Sequence, residues 1–161
     1  MNEKCADRMR RRICQAGLAL GATVVLPACG GSSAKSASLV GGACSDENTI
    51  AVGSTSDVAL NDAVLHNLPT TDIYVCHDAD GFYAVDAGCT HFGCDVNMKA
   101  SGDLKQGFVC PCHGATYDAQ GENPTTPAPA PLPHYSLCLQ ASGTLVVDLD
   151  TSVDASYRLK G

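Results

Sequence analysis

From Thr49 onwards, short apolar runs alternate with turn signals about every ten residues, and no long helical period is present. Runs of this length, rich in valine, isoleucine and tyrosine, predict β-strands. We expect Asp80-Gly81 and Ser142-Gly143 to turn the chain between neighbouring strands, since glycine adopts the positive φ of tight hairpin turns. The pattern therefore predicts an all-β fold of antiparallel sheets. The predicted strands are 50–52, 73–76, 82–85, 107–110, 115–117, 135–139 and 144–149.

Two loops rich in cysteine and histidine interrupt this pattern. Residues 89–94 read CTHFGC and residues 110–118 read CPCHGATYD. Each loop offers one thiolate and one imidazole at close spacing, and these groups are ligands of zinc and of iron–sulfur clusters. The spacing therefore predicts a four-ligand metal site. The candidate ligands are Cys89, His91, Cys110 and His113.

A zinc-stabilised or redox-sensing module is one interpretation of these loops. Zinc accepts two sulfurs and two nitrogens in a tetrahedron. Zinc loops more often use C-x2-C and H-x3–5-H spacings, however, and they do not need the two further cysteines, Cys94 and Cys112.

The paired motifs resemble the Rieske proteins, in which two cysteines hold one iron of a 2Fe–2S cluster and two histidines hold the other. The resemblance is closest over residues 89–118. It implies packed antiparallel sheets with an inserted cluster-binding subdomain made of the two loops. With only two thiolates the oxidised cluster is neutral and accepts an electron readily. Such centres have potentials of about −150 to +300 mV, against about −400 mV for four-cysteine plant-type clusters.

Cys94 and Cys112 match the positions that form a disulfide between the loops in Rieske subunits of cytochrome bc-type complexes. Rieske ferredoxins and ring-hydroxylating oxygenases generally lack this pair, and an oxygenase also needs a second domain of about 200 residues. The chain has 161 residues. The resemblance therefore implies an electron carrier. In bc-type members the histidine matching His113 lies at the exposed cluster edge, hydrogen-bonds the quinol and accepts its proton.

Two positions in the second loop bear on the reduction potential. At the position of Ala115, high-potential members have a serine, and its hydroxyl donates a hydrogen bond to a bridging sulfide. Their tyrosine matches Tyr117 and donates to the thiolate that matches Cys89. Each donor offsets the negative charge that grows on reduction. Ala115 therefore predicts a lower potential than in the serine-bearing respiratory members. Such a potential suits a low-potential quinol such as menaquinol, or a non-quinol donor.

Residues 124–134 (PTTPAPAPLPH) form a proline-rich run. Alone, such a run is typical of a stiff linker of polyproline character. In Rieske proteins a proline-rich loop at this position covers the cluster from a third side, and the composition of the run matches that loop.

The N-terminal segment has the layout of an export signal. Residues 1–28 combine consecutive arginines with an uncharged apolar run, which resembles a twin-arginine signal. Leu26-Pro27-Ala28-Cys29 resembles a lipobox and predicts lipidation of Cys29, although an uncleaved anchor helix is the alternative. We expect residues 29–44 to form a flexible tether and residues 45–161 to form the Rieske domain.

The charge balance limits the partners. Residues 1–28 hold five of the ten basic and two of the seventeen acidic residues, so the remaining chain has a net charge of −10. An acidic surface disfavours nucleic acid and favours a basic partner such as an exported cytochrome acceptor. The resemblance implies an exported protein on the periplasmic side, anchored by lipid. It would join the subunits of a quinol oxidoreductase, or the large subunit of a molybdenum oxidase resembling arsenite oxidase.

Several residues fall outside these motifs. Exported compartments are oxidising, so one further disulfide is expected among Cys44, Cys76 and Cys138, whose pairing cannot be read from sequence. The alternative is that all three are buried thiols that pack as small apolar groups. The remaining histidines are interpreted as ordinary surface or strand residues, and Asp86 as a solvated turn residue. These histidines are His66, His77 and His134.

Overall fold

The computed structural model describes residues 39–42, 44–45 and 49–161. The predicted export signal and Cys29 lie outside these residues. The described residues form ten strands and two single-turn 3-10 helices, Thr55–Asp57 and Leu104–Gln106. The strands are β1 (Leu39–Gly41), β2 (Thr49–Ser54), β3 (Asp62–Asn67), β4 (Asp72–Asp78), β5 (Gly81–Asp86), β6 (Asn97–Met98), β7 (Phe108–Val109), β8 (Thr116–Tyr117), β9 (His134–Gln140) and β10 (Thr144–Ser152).

Two antiparallel sheets organise these strands. The larger sheet has the order β2-β10-β9-β5-β4-β3, with β1 also paired to β9, and it curls into a half-barrel. The smaller sheet has the order β6-β7-β8. The CTHFGC loop lies just before β6 and the CPCHGA stretch lies between β7 and β8, so the small sheet is the base of both loops. The predicted all-β fold with an inserted two-loop subdomain is confirmed.

Each predicted strand overlaps an observed one, and the differences lie at strand ends and in short strands. The structure adds β1, β3 and β6, which sequence analysis missed. Strand β6 has two residues, and β3 is an edge strand whose residues are all partly or fully exposed, so neither has the buried alternation that marks a strand. Gly107 lies just before β7 and has a φ of 73°. Only glycine fits there, because a Cβ would meet the backbone of Tyr117 and Asp118.

The first predicted hairpin turn is shifted by one residue. Gly81 is already in β5 and pairs with Asp78, so the two-residue loop is Ala79-Asp80. Gly81 has the positive φ that was expected of it, 136°. Only glycine fits at this position, because a Cβ would strike the carbonyl oxygen of Leu159 in the C-terminal segment.

The folded domain begins earlier than the predicted boundary at residue 45. Residues 39–41, placed in the tether by sequence analysis, pair with β9 as β1. Cys44 forms a disulfide with Cys138, and the Ser45 backbone N–H and hydroxyl both donate to Asp148 at 2.9 and 3.0 Å. The last part of the predicted tether therefore belongs to the domain.

The cysteine pairing left open by the sequence is Cys44 with Cys138. Cys76 remains a fully buried thiol in β4. Burial raises the pKa of the Cys76 thiol, so the group stays protonated and packs as an apolar side chain.

Two apolar clusters fill the interior. The first lies beneath the loops and contains both candidate cysteine ligands together with Tyr83, Phe108 and Leu132. The second contains residues of β2, β4, β5, β9 and β10, such as Val52 and Leu145. The loops therefore rest on a packed core. No helix among residues 39–42, 44–45 and 49–161 has the length and apolar character needed to cross a membrane.

Candidate metal centre

The two loops share one backbone conformation. In the first, the Cys89 N–H donates to the carbonyl of residue 94 at 2.8 Å, and the Gly93 N–H donates to the Cys89 carbonyl at 2.7 Å. In the second, the Cys110 N–H donates to the carbonyl of residue 115 at 2.7 Å, and the Gly114 N–H donates to the Cys110 carbonyl at 2.9 Å. Each loop thus begins at a cysteine and closes through a glycine four residues later.

These glycines explain the closure. Gly93 and Gly114 have φ of 73° and 76°, in the left-handed region that favours glycine. Nothing lies near the place of a missing Cβ at either residue. Glycine is therefore required by backbone conformation, and the CTHFG and CPCHG stretches are two copies of one loop that differ in where the histidine stands.

The structure brings the two candidate cysteine ligands together beneath the loops. Cys89 and Cys110 are each 2% exposed and form no disulfide. Burial raises the pKa of the Cys110 thiol, and the neighbouring Cys89 thiol adds to the rise. Two adjacent thiolates in a buried site need a compensating positive charge, which metal ions supply.

The two candidate histidine ligands lie beside each other, one from each loop. The ring centroids of His91 and His113 are 4.8 Å apart and the rings meet edge to face. His91 is half-buried, and its Nδ1 is buried with no hydrogen-bond partner among the described residues. His113 is exposed. A buried imidazole nitrogen without a protein partner fits a metal ligand, because such a polar group is otherwise costly to bury.

A disulfide joins the loops. Cys94 of the first loop and Cys112 of the second are bonded, with 6.5 Å between their Cα atoms. It is the bond that the family resemblance implied. It limits the separation of the loops whose first residues are the two buried thiols.

This donor set fits a Rieske cluster. Two loops of one conformation supply two buried thiols, one buried imidazole nitrogen without a hydrogen-bond partner and one exposed imidazole. Among the described residues, no three cysteine, histidine or acidic side chains converge on a single metal ion. A two-iron cluster does not require such convergence, since each iron takes two protein ligands.

Tyr117 connects the centre to its surroundings. Its hydroxyl donates to the Cys89 sulfur at 3.3 Å and accepts from the Thr90 backbone N–H at 3.2 Å. Burial raises the pKa of Tyr117, and the Cys89 thiol adds to the rise, so the hydroxyl stays protonated and able to donate. Ala115, two residues earlier, is fully buried in the cluster that holds both cysteines, and it offers no hydroxyl.

The proline-rich run is attached to the first loop. The Thr90 hydroxyl donates to the Ala130 carbonyl at 2.6 Å and lies 3.2 Å from the Tyr117 hydroxyl. Leu132 is buried and its N–H donates to the Gly121 carbonyl at 2.9 Å. Sequence analysis missed Thr90, whose polar contacts link residues distant in sequence.

The environment of Asp86 differs from the one predicted from the sequence. Asp86 is not a solvated turn residue but is buried, with 1% of its surface exposed. Its carboxylate accepts hydrogen bonds from two hydroxyls and one backbone N–H, among other contacts, and these offset the cost of burial. The donors come from three separate segments, so the sequence carried no local signal of them.

The other histidines have separate environments. His66 is half-buried on β3. The Nδ1 atom of His77 lies 3.0 Å from the carbonyl oxygen of Val58. His134 lies on β9, as the strand interpretation allowed, and is buried at 5% exposure, with its Nε2 atom 2.7 Å from the Gln120 carbonyl oxygen. Burial lowers the pKa of His134.

Comparisons with known proteins identify the relatives of this chain. The family profile described as the Rieske 2Fe-2S domain matches residues 48–136. The cytochrome b6-f complex iron-sulfur subunit of Chlorobaculum tepidum is 33% identical over 102 residues, covering 63% of this chain and 54% of that protein. The corresponding subunit of Synechococcus elongatus is 44% identical over 64 residues, covering 40% of this chain and 34% of that protein.

Among solved structures, the cyanobacterial plasma membrane Rieske protein from Synechocystis PCC 6803 has a TM-score of 0.50 and 31% identity. The match covers 62% of this chain and 98% of that one. The chain spans about half the length or less of the curated relatives described above.

Proposed function

Because the chain belongs to the Rieske 2Fe-2S domain family, we propose that it carries single electrons as the iron–sulfur subunit of a quinol-oxidising complex. Its cofactor is a Rieske-type 2Fe–2S cluster. The cluster supplies the one-electron chemistry, and the protein supplies the ligands, their hydrogen bonds and access to the site. The observation that carries the proposal is the exposed His113 ring beside a buried pair of thiols.

The four candidate ligands divide into two pairs. Cys89 and Cys110 would hold the inner iron, since both sulfurs are buried. His91 and His113 would hold the outer iron, since their rings lie 4.8 Å apart on the outer part of the loops. The Cys94–Cys112 disulfide would keep the two halves of the site together.

His113 is the proposed contact with the electron donor. Its exposure leaves one ring nitrogen accessible when the other is a ligand. That nitrogen would accept a hydrogen bond from a quinol hydroxyl and hold the proton that leaves with the electron. The proton and the electron would then both leave the quinol at His113. This role requires a histidine that is exposed and close to the buried cysteines.

The relatives support a place in a larger complex. The curated matches are named as iron-sulfur subunits of the cytochrome b6-f complex. By analogy this chain would pass electrons to a cytochrome, and its acidic surface favours a basic one. The sequence of residues 1–29 supports export to the periplasmic side and a lipid anchor at Cys29.

The donor is proposed to be a low-potential quinol. Tyr117 offers a hydroxyl to the Cys89 sulfur, whereas Ala115 has none to offer to a bridging sulfide. With one of two donors present, the potential would lie below that of serine-bearing respiratory members and above that of four-cysteine clusters. Menaquinol fits this range better than ubiquinol.

The decisive experiment is purification of the tagged full chain from native membranes in mild detergent. A quinol-oxidising complex would bring b-type haem with the chain and reduce the cluster on addition of a menaquinol analogue. Bound molybdenum, with no haem and no reduction by quinol, would instead indicate the relay subunit of a molybdenum oxidase and would contradict the proposal.

A further inference from the structure

Asp86 is a buried carboxylate at the junction between the large sheet and the first loop. It is the last residue of β5. Its Oδ2 accepts from the Thr71 hydroxyl at 3.0 Å and the Tyr135 hydroxyl at 2.9 Å, and its Oδ1 accepts from the Gly88 N–H at 2.6 Å. Its own N–H donates to the Pro133 carbonyl at 2.8 Å. One residue therefore connects the sheet, the first loop and the end of the proline-rich run.

The hydrogen bond between the Gly88 N–H and the Asp86 carboxylate lies at the residue that precedes the first loop. Gly88 forms a bridge with Asp95, and the next residue, Cys89, closes the loop by donating to the carbonyl of residue 94. Glycine has no side chain to restrict its own backbone, so an acceptor for the Gly88 N–H helps to fix the direction in which the chain leaves the sheet, together with the bridge to Asp95. Asp86 supplies that acceptor, and the position of the first ligand follows from it.

Two hydroxyls and one backbone amide donate to the carboxylate and orient it, and these donors carry no formal charge. Asp86 precedes Cys89 by three residues, and three residues span at most about 11 Å. A buried charge within this reach of the first ligand's backbone acts through a medium of low polarity and opposes the addition of an electron.

We propose that Asp86 is a positioning residue for the first loop and that its buried negative charge lowers the reduction potential of the cluster. The inference rests on the proposed function only in requiring that the cluster is present. It adds a second cause of low potential, independent of the missing hydroxyl at Ala115.

Asp86→Asn separates charge from geometry. Asparagine has the same shape, can accept from Gly88 through its oxygen, and can donate through its amide to hydroxyls that rotate to accept. With an effective dielectric constant of about 20, a unit charge about 10 Å away changes the electron-transfer equilibrium constant by roughly tenfold. We therefore expect the potential of this variant to rise by about 59 mV, the equivalent of tenfold for one electron. Its electron paramagnetic resonance and circular dichroism spectra should match those of the parent.

Two further variants test the positioning role. Asp86→Glu keeps the charge but lengthens the side chain, so the potential should stay near that of the parent while a chelator bleaches the cluster faster. Asp86→Ala removes both charge and acceptor, so the potential should rise and bleaching should accelerate most. An unmoved potential in cluster-loaded Asp86→Asn would overturn the electrostatic role, and parent-like bleaching of Asp86→Ala would overturn the positioning role.

Asp148→Asn is a matched control. Asp148 is also a fully buried carboxylate, and its hydrogen-bond donors are Ser45, Asp150 and Thr151. These donors belong to the N-terminal segment and β10 rather than to the loops. The potential of Asp148→Asn should match that of the parent, and a rise equal to that of Asp86→Asn would contradict a specific role for Asp86.

A variant that leaves Asp86 in place covers the case in which Asp86→Asn does not fold. Thr71→Val with Tyr135→Phe removes both hydroxyl donors while keeping their volume. With fewer donors to offset the charge, the potential should fall, opposite to Asp86→Asn, and a rise or no change would overturn the inference. Failure of the proposed function is distinguishable, because a chain without a cluster shows no potential in any variant.

Discussion

The hydroxyl of Tyr117 lies 3.3 Å from the sulfur of Cys89 and donates to it. The two residues belong to different loops, and the second loop brings the donor to the first loop's cysteine. The same hydroxyl accepts from the Thr90 backbone N–H, which directs its proton towards the sulfur. The electronic environment of the centre is therefore set by contacts between the loops.

Removing this donor should lower the reduction potential. Tyr117→Phe keeps the ring, so the change isolates the hydroxyl. A hydrogen bond to a charged group contributes about 1.5–3 kcal/mol, and about 1.4 kcal/mol corresponds to 59 mV for one electron. Since only the difference between redox states counts, we expect a fall of several tens of millivolts to about 100 mV. Protein-film voltammetry measures it, and a potential equal to that of the parent would show that the contact is electronically silent.

Ala115→Ser should act in the opposite direction. The new hydroxyl would offer the second donor found in high-potential family members and raise the potential by a comparable amount. Position 115 is fully buried in the apolar cluster that holds Cys89 and Cys110, so the hydroxyl would lie close to the cluster site. An unmoved potential in cluster-loaded Ala115→Ser would mean that the hydroxyl does not reach a sulfide in this loop.

Removing each of the two disulfides should affect a different part of the protein. Cys94→Ser or Cys112→Ser frees the loops, so the cluster should be lost on heating well before the large sheet melts. Cys44→Ser removes the bond that closes 94 residues of chain, for which loop-closure entropy predicts about 4–5 kcal/mol. It should lower the melting temperature of the sheet while the cluster stays bound until that transition. Visible absorbance follows the cluster and far-ultraviolet circular dichroism follows the sheet; equal cluster retention in all three variants would refute this division of roles.

Much of the site was predictable because its signals are local. The ligand spacing and the proline-rich run each lie within a short stretch of chain, where residue type and spacing together indicate the structure. The strands in the core were equally predictable, since Ile73–Cys76 and Phe82–Val85 bury continuous apolar runs.

The residues that were missed depend on distant partners. Asp86 is buried because donors from β9, from the turn before β4 and from the first loop converge on it. Strand β1 pairs with the C-terminal end of β9, beyond the part of β9 that pairs with β5, and Cys44 bonds to Cys138. The sequence near residue 39 indicates neither contact. Sequence patterns reflect residues that are close together in the chain. The burial of Asp86 and the pairing of β1 depend instead on residues that are distant in sequence and close together in the fold.

Stability should fall as the pH drops below about 6.5. Burial lowers the pKa of His134 in the folded state, so the unfolded chain binds its proton first. The stabilising effect of the neutral side chain is fully present above the unfolded pKa and is lost as the pH falls from there to the folded pKa. His134→Gln keeps a donor for the Gln120 carbonyl but does not titrate, so its unfolding free energy should depend less on pH over this window. Chemical denaturation at several pH values measures both slopes, and identical slopes would rule out His134 as a contributor.

The predicted lipid anchor has its own test. If Cys29 is lipidated, the mature chain begins there with an added lipid mass, and Cys29→Ser gives an unprocessed or released protein. Mass spectrometry of the membrane-bound parent reports the N-terminus directly. An intact N-terminal segment in the membrane would favour the uncleaved helix, and a mature end elsewhere would exclude the lipobox.

Cys89, His91, Cys110 and His113 are proposed to hold a 2Fe–2S cluster that carries one electron. Iron and acid-labile sulfide analysis, combined with a reductive titration followed by electron paramagnetic resonance, tests this proposal. We expect two irons and two sulfides per chain, uptake of one electron, and a reduced signal with the low average g-value of a mixed cysteine and histidine cluster. One tightly bound zinc, no sulfide and no signal on reduction would contradict it.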